Sequence, residues 1–211
     1  MKLHYLNKKT EQEIFDNIPD LEFEQINSSA SNNLLIQASN LIALKQLVTK
    51  FELREKVDLI YIDPPFATNN TFTITDGRAA TISNSSKGTV AYKDTLKGAD
   101  FIEFLRERLV LLKMLLSDKG SIYLHIDYKI GHYVKIIMDE VFGPENFRND
   151  ITRIKCNPKN FQRKGYGNIK DLILFYTKTD NFTWNEPMEG RAEGEIKRLF
   201  NKIDDKGRIY T

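Results

Sequence analysis

The 211-residue chain is long enough to bury one sizeable core. Its 41% hydrophobic and 28% charged residues exclude a disordered or fibrous protein. The sequence contains no run of eighteen apolar residues, so no membrane span is predicted. A single cysteine, Cys156, excludes an internal disulfide and a thiolate metal site, which fits a reducing cytoplasm. The net charge of +2 neither favours nor excludes nucleic acid, so the distribution of charge matters more.

Apolar spacing predicts three strands, each followed by a helix. The predicted strands cover residues 34–38, 57–62 and 121–126, and the predicted helices cover residues 41–48, 99–116 and 133–142. The second strand is apolar on both faces, as expected inside a parallel sheet. A polar stretch over 67–97 follows it and is long for a structureless connection, which is typical of a functional or disordered loop. The order predicts an α/β sheet with right-handed crossovers.

Two further strands are predicted after residue 148, at Asp150 to Ile154 and at Asp171 to Thr177. A basic loop separates them, so we expect a β-hairpin at the edge of the sheet. A short helix over 192–200 and a turn over 205–207 are predicted in the last part of the chain.

The turn Asp63-Pro64-Pro65-Phe66 is the strongest candidate for chemistry. Asp63 directly follows the predicted strand 57–62, so it lies where ligands bind in a doubly wound sheet. The two prolines have fixed φ angles and no N–H, which leaves their carbonyls free to accept hydrogen bonds beside an aromatic ring. A carboxylate, a carbonyl and a ring can hold the amino group of an extruded nucleobase. The alternative interpretation is that these residues merely end a strand.

The segment DLIYIDPPF resembles the catalytic motif of the DNA amino-methyltransferases, which use S-adenosylmethionine on adenine N6 or cytosine N4. The aspartate form of the motif implies adenine. The resemblance extends from LIQASNLIALKQL to KDLILFYTKT, and its order is similar to the β-class, which includes the modification subunits of type III restriction systems. It implies that Asp63 and Pro64 polarise the amino group, with Pro65 fixing the turn and Phe66 stacking on the base.

The chain departs from that family in two places. No Phe-x-Gly-x-Gly cofactor motif occurs, so we expect a Rossmann-like methyltransferase sheet with an edge hairpin that is incomplete because the C-terminal cofactor-motif strands are absent. Where family members read Gly-Asp-Asn, this chain has Ala38-Ser39-Asn40, which implies cofactor contacts by Ser39 and Asn40 beside Asp63, without a charge. The implied domains are an N-terminal extension (1–30), a partial catalytic domain (31–183) and the start of a target-recognition region (184–211).

A basic, aromatic-containing segment lies between the two hairpin strands and predicts contacts to DNA phosphates. The candidate DNA-binding residues are Arg153, Lys155, Lys159, Asn160, Arg163 and Lys164. A solvated basic loop is the alternative. A catalytic pair of His125 and Asp127 is conceivable, but a packed histidine and an ordinary strand-end carboxylate are the preferred interpretation. No histidine has metal-ligand spacing, so no metal site is predicted.

The sequence therefore predicts a site-specific methyltransferase that moves a methyl group from S-adenosylmethionine to adenine N6 in double-stranded DNA. The alternatives are cytosine-N4 methylation, or a silent fragment that keeps DNA or partner contacts. Besides DNA, the partners left open are a second copy of the chain, a restriction subunit and a complementary C-terminal polypeptide. No membrane partner is expected.

Overall fold

The computed structural model describes residues 2–26, 33–65, 71–75, 78–81, 89–93, 98–155, 169–186, 190, 194 and 198–210, with the backbone alone described for the strands between 71 and 93. The helices are α1 (Glu11–Asp16), α2 (Asn40–Thr49), α3 (Gly98–Leu115) and α4 (Tyr128–Phe142). The strands are β1 (Val57–Ile62), β2 (Thr71–Thr75), β3 (Arg78–Thr81), β4 (Thr89–Lys93), β5 (Leu116–Asp127), β6 (Phe147–Ile154), β7 (Lys170–Thr177), β8 (Lys202–Ile203) and β9 (Ile209–Tyr210).

The main sheet has four strands in the order β1-β5-β7-β6. Strand β1 runs parallel to β5, whereas β7 is antiparallel to both of its neighbours, β5 and β6. The predicted α/β class is confirmed, and so is the hairpin, because β6 and β7 pair along their length with β6 at the edge. The sheet is mixed, since a hairpin strand, and not a crossover strand, lies beside β5.

One face of this sheet forms the core with the helices. The even-numbered residues of β5 and β7 point to that face, because successive side chains of a strand alternate. They lie in one buried apolar cluster with α3 and α4; its members include Ile122, Leu124, Ile126, Leu172, Leu174, Tyr176, Leu105, Leu109, Val134 and Ile137. The odd-numbered residues, among them His125 and Asp171, therefore lie on the opposite face.

The strand predicted at residues 34–38 does not form, and strand β1 is exposed on one face. Residues 34–38 are irregular, with Leu35 99% exposed, because no strand among the described residues pairs with them. Strand β1 occurs as predicted but is not buried on both faces: it is an edge strand of the described sheet, and Leu59 and Tyr61 are 64% and 59% exposed. An apolar pattern shows which faces of a strand can be buried. Here no described residues pack against the face of β1 that carries Leu59 and Tyr61.

Other boundaries differ in ways that local chemistry explains. Helix α4 begins five residues earlier than predicted, because the Asp127 carboxylate accepts a hydrogen bond from the Lys129 N–H at 2.8 Å and caps it. The polar stretch 67–97 contains a three-stranded antiparallel sheet, β3-β2-β4, so it is not structureless in its described part. The turn near Gly207 (φ 74°) joins β8 to β9 as expected, whereas most of the predicted helix 192–200 lies outside the described residues.

Strand β5 begins before its predicted start, at Leu116, and approaches β1 very closely at Gly120. A Cβ atom added there would lie 2.8 Å from the Val57 carbonyl oxygen and 2.7 Å from the Leu116 side chain. The register of the β1–β5 ladder shifts between Val57 and Leu59, so Gly120 lies at a bulge. This contact fixes the position of β1, and hence of the turn that follows it, against β5.

The N-terminal segment is attached to the helices by ion pairs around Glu140 of α4. The Lys8 ammonium lies 2.6 Å and the Arg106 guanidinium 3.3 Å from its carboxylate, and the backbone N–H of Leu3 donates to it at 3.4 Å. Burial alone would raise the pKa of Glu140, but the hydrogen bond from Lys8 and the two cations lower it below its ordinary value. The ionised form is therefore the one that the fold stabilises.

We expect Glu140→Gln to lower the free energy of unfolding by about 2 kcal/mol at neutral pH, because buried Arg106 then keeps only Glu103 as a counter-charge and Lys8 loses its partner. Since the folded-state pKa is lowered, this contribution is complete above the ordinary carboxyl range and is lost as the pH falls through the folded value. Urea unfolding at a series of pH values measures it, and wild type and variant should converge in acid. The exposed Glu145→Gln is the control; an equal loss there would contradict the assignment.

Candidate active site

Asp63 is the first residue beyond β1, at the carboxyl end of the strand, where the sequence places it. Its side chain is 58% exposed, so one side of the carboxylate faces solvent. Pro64 and Pro65 follow in partly buried positions, and Phe66 lies outside the described residues. An exposed carboxylate at this end of a sheet strand is placed to accept hydrogen bonds from a ligand.

His125 in β5 binds the other side of Asp63. Its Nδ1 atom lies 3.0 Å from Oδ1 of Asp63, and the histidine is 7% exposed. The contact spans neighbouring parallel strands, because Ile62 pairs with Leu124 and the next residues along are Asp63 and His125. Asp63 thus has one protein-facing side, which His125 occupies, and one open side.

Asp171 in β7 lies on the far side of the same imidazole. Its Oδ2 atom is 3.3 Å from Nε2 of His125, and its side chain is 1% exposed. A carboxylate buried to this degree requires positive or hydrogen-bonding partners. Lys155 forms an ion pair with Oδ1, and Arg153 Nη1 lies 3.4 Å from Oδ2. The three side chains form a continuous row, Asp63–His125–Asp171, which we call the acidic row. Two cations balance the negative charge at its buried end.

Sequence reasoning missed this row. It considered a pair of His125 and Asp127, but Asp127 caps α4 and lies 3.8 Å from Lys155, so Asp127 is the strand-end carboxylate of the preferred interpretation. The useful signal was a polar residue in each of two largely apolar segments, His125 within SIYLHI and Asp171 at the start of DLILFY. Only the pairing register, which sets Asp171 opposite Asp127 and Ile173 opposite His125, brings those two residues together.

The predicted DNA-binding residues divide into two groups. Arg153 and Lys155 are engaged with Asp171, although their side chains remain 55% and 32% exposed. The other four candidates lie outside the described residues; they are Lys159, Asn160, Arg163 and Lys164. The backbone N–H of Lys155 donates to the Ile169 carbonyl at 2.8 Å, which holds the two ends of the basic segment together.

The predicted cofactor residues Ser39 and Asn40 lie at the start of α2. Both are exposed, and the Ser39 side chain makes no capping hydrogen bond. Asn40 is less available, because its side-chain oxygen accepts a hydrogen bond at 2.9 Å from Arg108 Nε. Burial lowers the pKa of Arg108 to about 10, and its guanidinium lies 3.4 Å from the centroid of the Phe104 ring.

A row of aromatic residues crosses the odd-numbered face next to Asp63. Tyr61 pairs with Tyr123, and Tyr123 pairs with Phe175. The rings of Tyr123 and Phe175 stack at 4.5 Å, and Trp184 stacks on Phe175 at 6.1 Å with its own outer part exposed. Burial raises the pKa of Tyr123. The sheet face that carries Asp63, His125 and Asp171 is therefore lined by aromatic side chains immediately beside those three residues.

Within the described part of the chain, no group of three or more histidine, cysteine, aspartate or glutamate residues is arranged to hold a metal ion. None of the described helices is both long enough and apolar enough to cross a membrane.

An acidic Asp-Pro-Pro turn at the carboxyl end of a sheet strand, backed by a buried polar row, is typical of an α/β enzyme that binds its ligand at the strand ends. A family model described as DNA methylase matches residues 57–209, which include Asp63, His125 and Asp171. The chain belongs to this DNA methylase family, and the resemblance read from the DPPF segment is confirmed.

Among its relatives, a type II methyltransferase, M.EcaI of Enterobacter cloacae, is 35% identical over 89% of the chain. A probable type III restriction-modification enzyme HindVI Mod subunit of Haemophilus influenzae is 36% identical over 85% of the chain. The chain spans 38% and 22% of the lengths of these two relatives. The crystal structure of an M1.HpyAVI–SAM complex overlaps with a TM-score of 0.44 and 17% identity, over 74% of this chain and 60% of that one.

We expect Lys155→Met to destabilise the chain by about 1–3 kcal/mol, because it removes the closest cation from the buried Asp171 carboxylate while keeping the aliphatic stem. Thermal and urea unfolding measure the loss. Lys129→Met, on an exposed lysine in the first turn of α4, is the matched control and should leave the free energy of unfolding unchanged. If both substitutions have the same effect, Asp171 does not depend on Lys155.

Proposed function

We propose that this chain carries the catalytic part of a site-specific DNA methyltransferase that acts on the N6 amino group of adenine in double-stranded DNA. The observation that carries the proposal is the Asp63 carboxylate, which His125 holds on one side and which is open to a ligand on the other. Family membership over residues 57–209 supports the same reaction class.

In this proposal, Asp63 and the Pro64 carbonyl accept the two N–H bonds of the target amino group. The amino lone pair of adenine is conjugated with the ring, so holding both protons out of the ring plane localises that lone pair on nitrogen. Pro65 keeps the turn rigid, and Phe66, by its place in the motif, stacks on the extruded base. S-adenosylmethionine, when bound, supplies the methyl group.

The described residues fit only one side of a cofactor site. Ser39 is exposed and free of a capping role, whereas the Asn40 oxygen is already bonded to Arg108. Strand β1 has an unpaired edge among the described strands, and Leu59 and Tyr61 beside that edge are exposed. We propose that a further polypeptide segment with a glycine-rich turn pairs with β1, covers this face and completes the site.

For DNA, we propose that Lys159, Asn160, Arg163 and Lys164 contact phosphates, while Arg153 and Lys155 chiefly hold Asp171. Residues 31–183 would form the catalytic unit, and residues 184–211 would begin the recognition region. A restriction subunit is the proposed protein partner, since one relative is a probable type III Mod subunit. The cytoplasm is the proposed compartment.

Asp63→Ala should abolish methyl transfer by the chain assayed together with a glycine-motif polypeptide, with the affinity for DNA and its salt dependence retained, because the carboxylate acts on the reacting group and not on phosphates. Incorporation of labelled methyl groups into DNA measures this. Asp58→Ala is the matched control, since Asp58 is an exposed carboxylate on the same strand that binds Ser117. Activity of Asp63→Ala within a few-fold of wild type would refute the assignment.

The chemical identity of the product separates adenine from cytosine as the target. Nucleoside analysis of the methylated DNA should yield N6-methyladenine. Detection of N4-methylcytosine would support the same amino-group mechanism but would show that cytosine, and not adenine, is the target base.

The 211-residue chain alone should bind S-adenosylmethionine poorly, because only the Asp63 side of the pocket is present among its described residues. Calorimetric titration measures the affinity, and addition of a glycine-motif polypeptide should raise it. Micromolar binding by the chain as a monomer would show that the pocket needs no further segment.

A further inference from the structure

We infer that His125 is a positioning residue that fixes the catalytic carboxylate of Asp63. The inference rests on the proposed function, because it assigns Asp63 a task that requires orientation. It concerns neither the base nor the cofactor directly. It concerns how a largely exposed carboxylate is kept in one orientation.

Asp63 needs such support because the residues that follow it in the chain provide few hydrogen-bond donors to its carboxylate. Its carboxylate is 58% exposed and lies between a strand end and two prolines, which offer it no N–H from positions 64 and 65. Within the described part of the chain, the Asp63 carboxylate contacts the Nδ1 atom of His125 at 3.0 Å. A side chain in water rotates about its χ angles, and preorganisation of a reacting group requires that this freedom be removed before the substrate arrives.

His125 is itself fixed from behind. Its Nε2 atom faces Oδ2 of Asp171 at 3.3 Å, and Asp171 is held by Lys155 and Arg153 at the end of β6. A buried carboxylate 3.3 Å from one ring nitrogen favours the ring orientation that directs the other nitrogen to Asp63. The two residues lie in the adjacent strands β5 and β7, so the support comes from the sheet itself.

The alternative is that the row only satisfies a buried histidine and has no effect on Asp63. The two interpretations differ in which nitrogen matters. If the row is structural, the Nε2 contact with buried Asp171 dominates, and the Nδ1 contact with exposed Asp63 is incidental. If the row positions Asp63, the Nδ1 contact controls turnover.

Two substitutions of His125 separate the nitrogens. The amide nitrogen of asparagine can occupy the Nδ1 position and donate to Asp63, whereas the amide nitrogen of glutamine can occupy the Nε2 position and donate to Asp171. We expect His125→Asn to keep kcat within about threefold of wild type, and His125→Gln to lower kcat roughly tenfold or more at unchanged KM for DNA. Equal kcat for both variants, or a lower kcat for asparagine than for glutamine, would overturn the inference.

A second measurement detects the contact without any turnover. In long-range ¹H–¹⁵N spectra of the 211-residue chain, Asp63→Asn should shift the Nδ1 resonance of His125, and the control Asp58→Asn should leave it in place. An unmoved resonance in Asp63→Asn would overturn the contact on which the inference depends.

These experiments distinguish a failure of the inference from a failure of the proposed function. Loss of activity in Asp63→Ala together with wild-type kcat in both His125 variants would leave the methyltransferase proposal intact and remove the positioning role. An absence of methyl transfer by wild type in the presence of the glycine-motif polypeptide and bound S-adenosylmethionine would refute the proposed function, and the spectra would still decide whether His125 holds Asp63.

Discussion

The buried carboxylate of Asp171 is the constraint around which the candidate site is organised. Removing an ion from water costs several kcal/mol, so a 1% exposed carboxylate persists only where cations and hydrogen-bond donors surround it. Here the partners are His125 from β5, Arg153 from β6 and Lys155 directly after β6. Meeting that requirement aligns three strands, and Asp63 beyond a fourth strand receives its contact from the same histidine.

The two faces of the sheet serve different purposes. The even-numbered face is closed by α3 and α4 and includes fully buried side chains such as Ile122, Leu124 and Ile137, so burial of apolar area there supplies most of the stabilisation. The odd-numbered face carries the acidic row and, next to it, an aromatic row with Tyr61 at its open end. A stable closed face allows the other face to remain incompletely covered, which is what a ligand or a further segment requires.

Much of the fold was predictable because local pattern and tertiary packing agree. The helices α2, α3 and α4, the strands β1 and β5 and the β6–β7 hairpin all occur where apolar spacing placed them. The strand expected at 34–38 fails because spacing cannot show whether a partner strand exists. Asp63 could be found from one short motif, since its chemistry is local. Asp171 could not, because its role depends on the register between two strands nearly fifty residues apart.

The position of the basic segment adds a mechanical consequence. Its two described ends, Lys155 and Ile169, are joined by a backbone hydrogen bond, and Lys155 also binds Asp171. The base of the proposed phosphate contacts is thus attached to the same row that ends at Asp63. Sheet backbones and ion pairs with buried carboxylates move little, so the two described ends of this segment keep a fixed position relative to Asp63. In the proposed function, the residues that contact the DNA phosphates and the carboxylate that contacts the target amino group would therefore both be attached to the paired strands β5, β6 and β7.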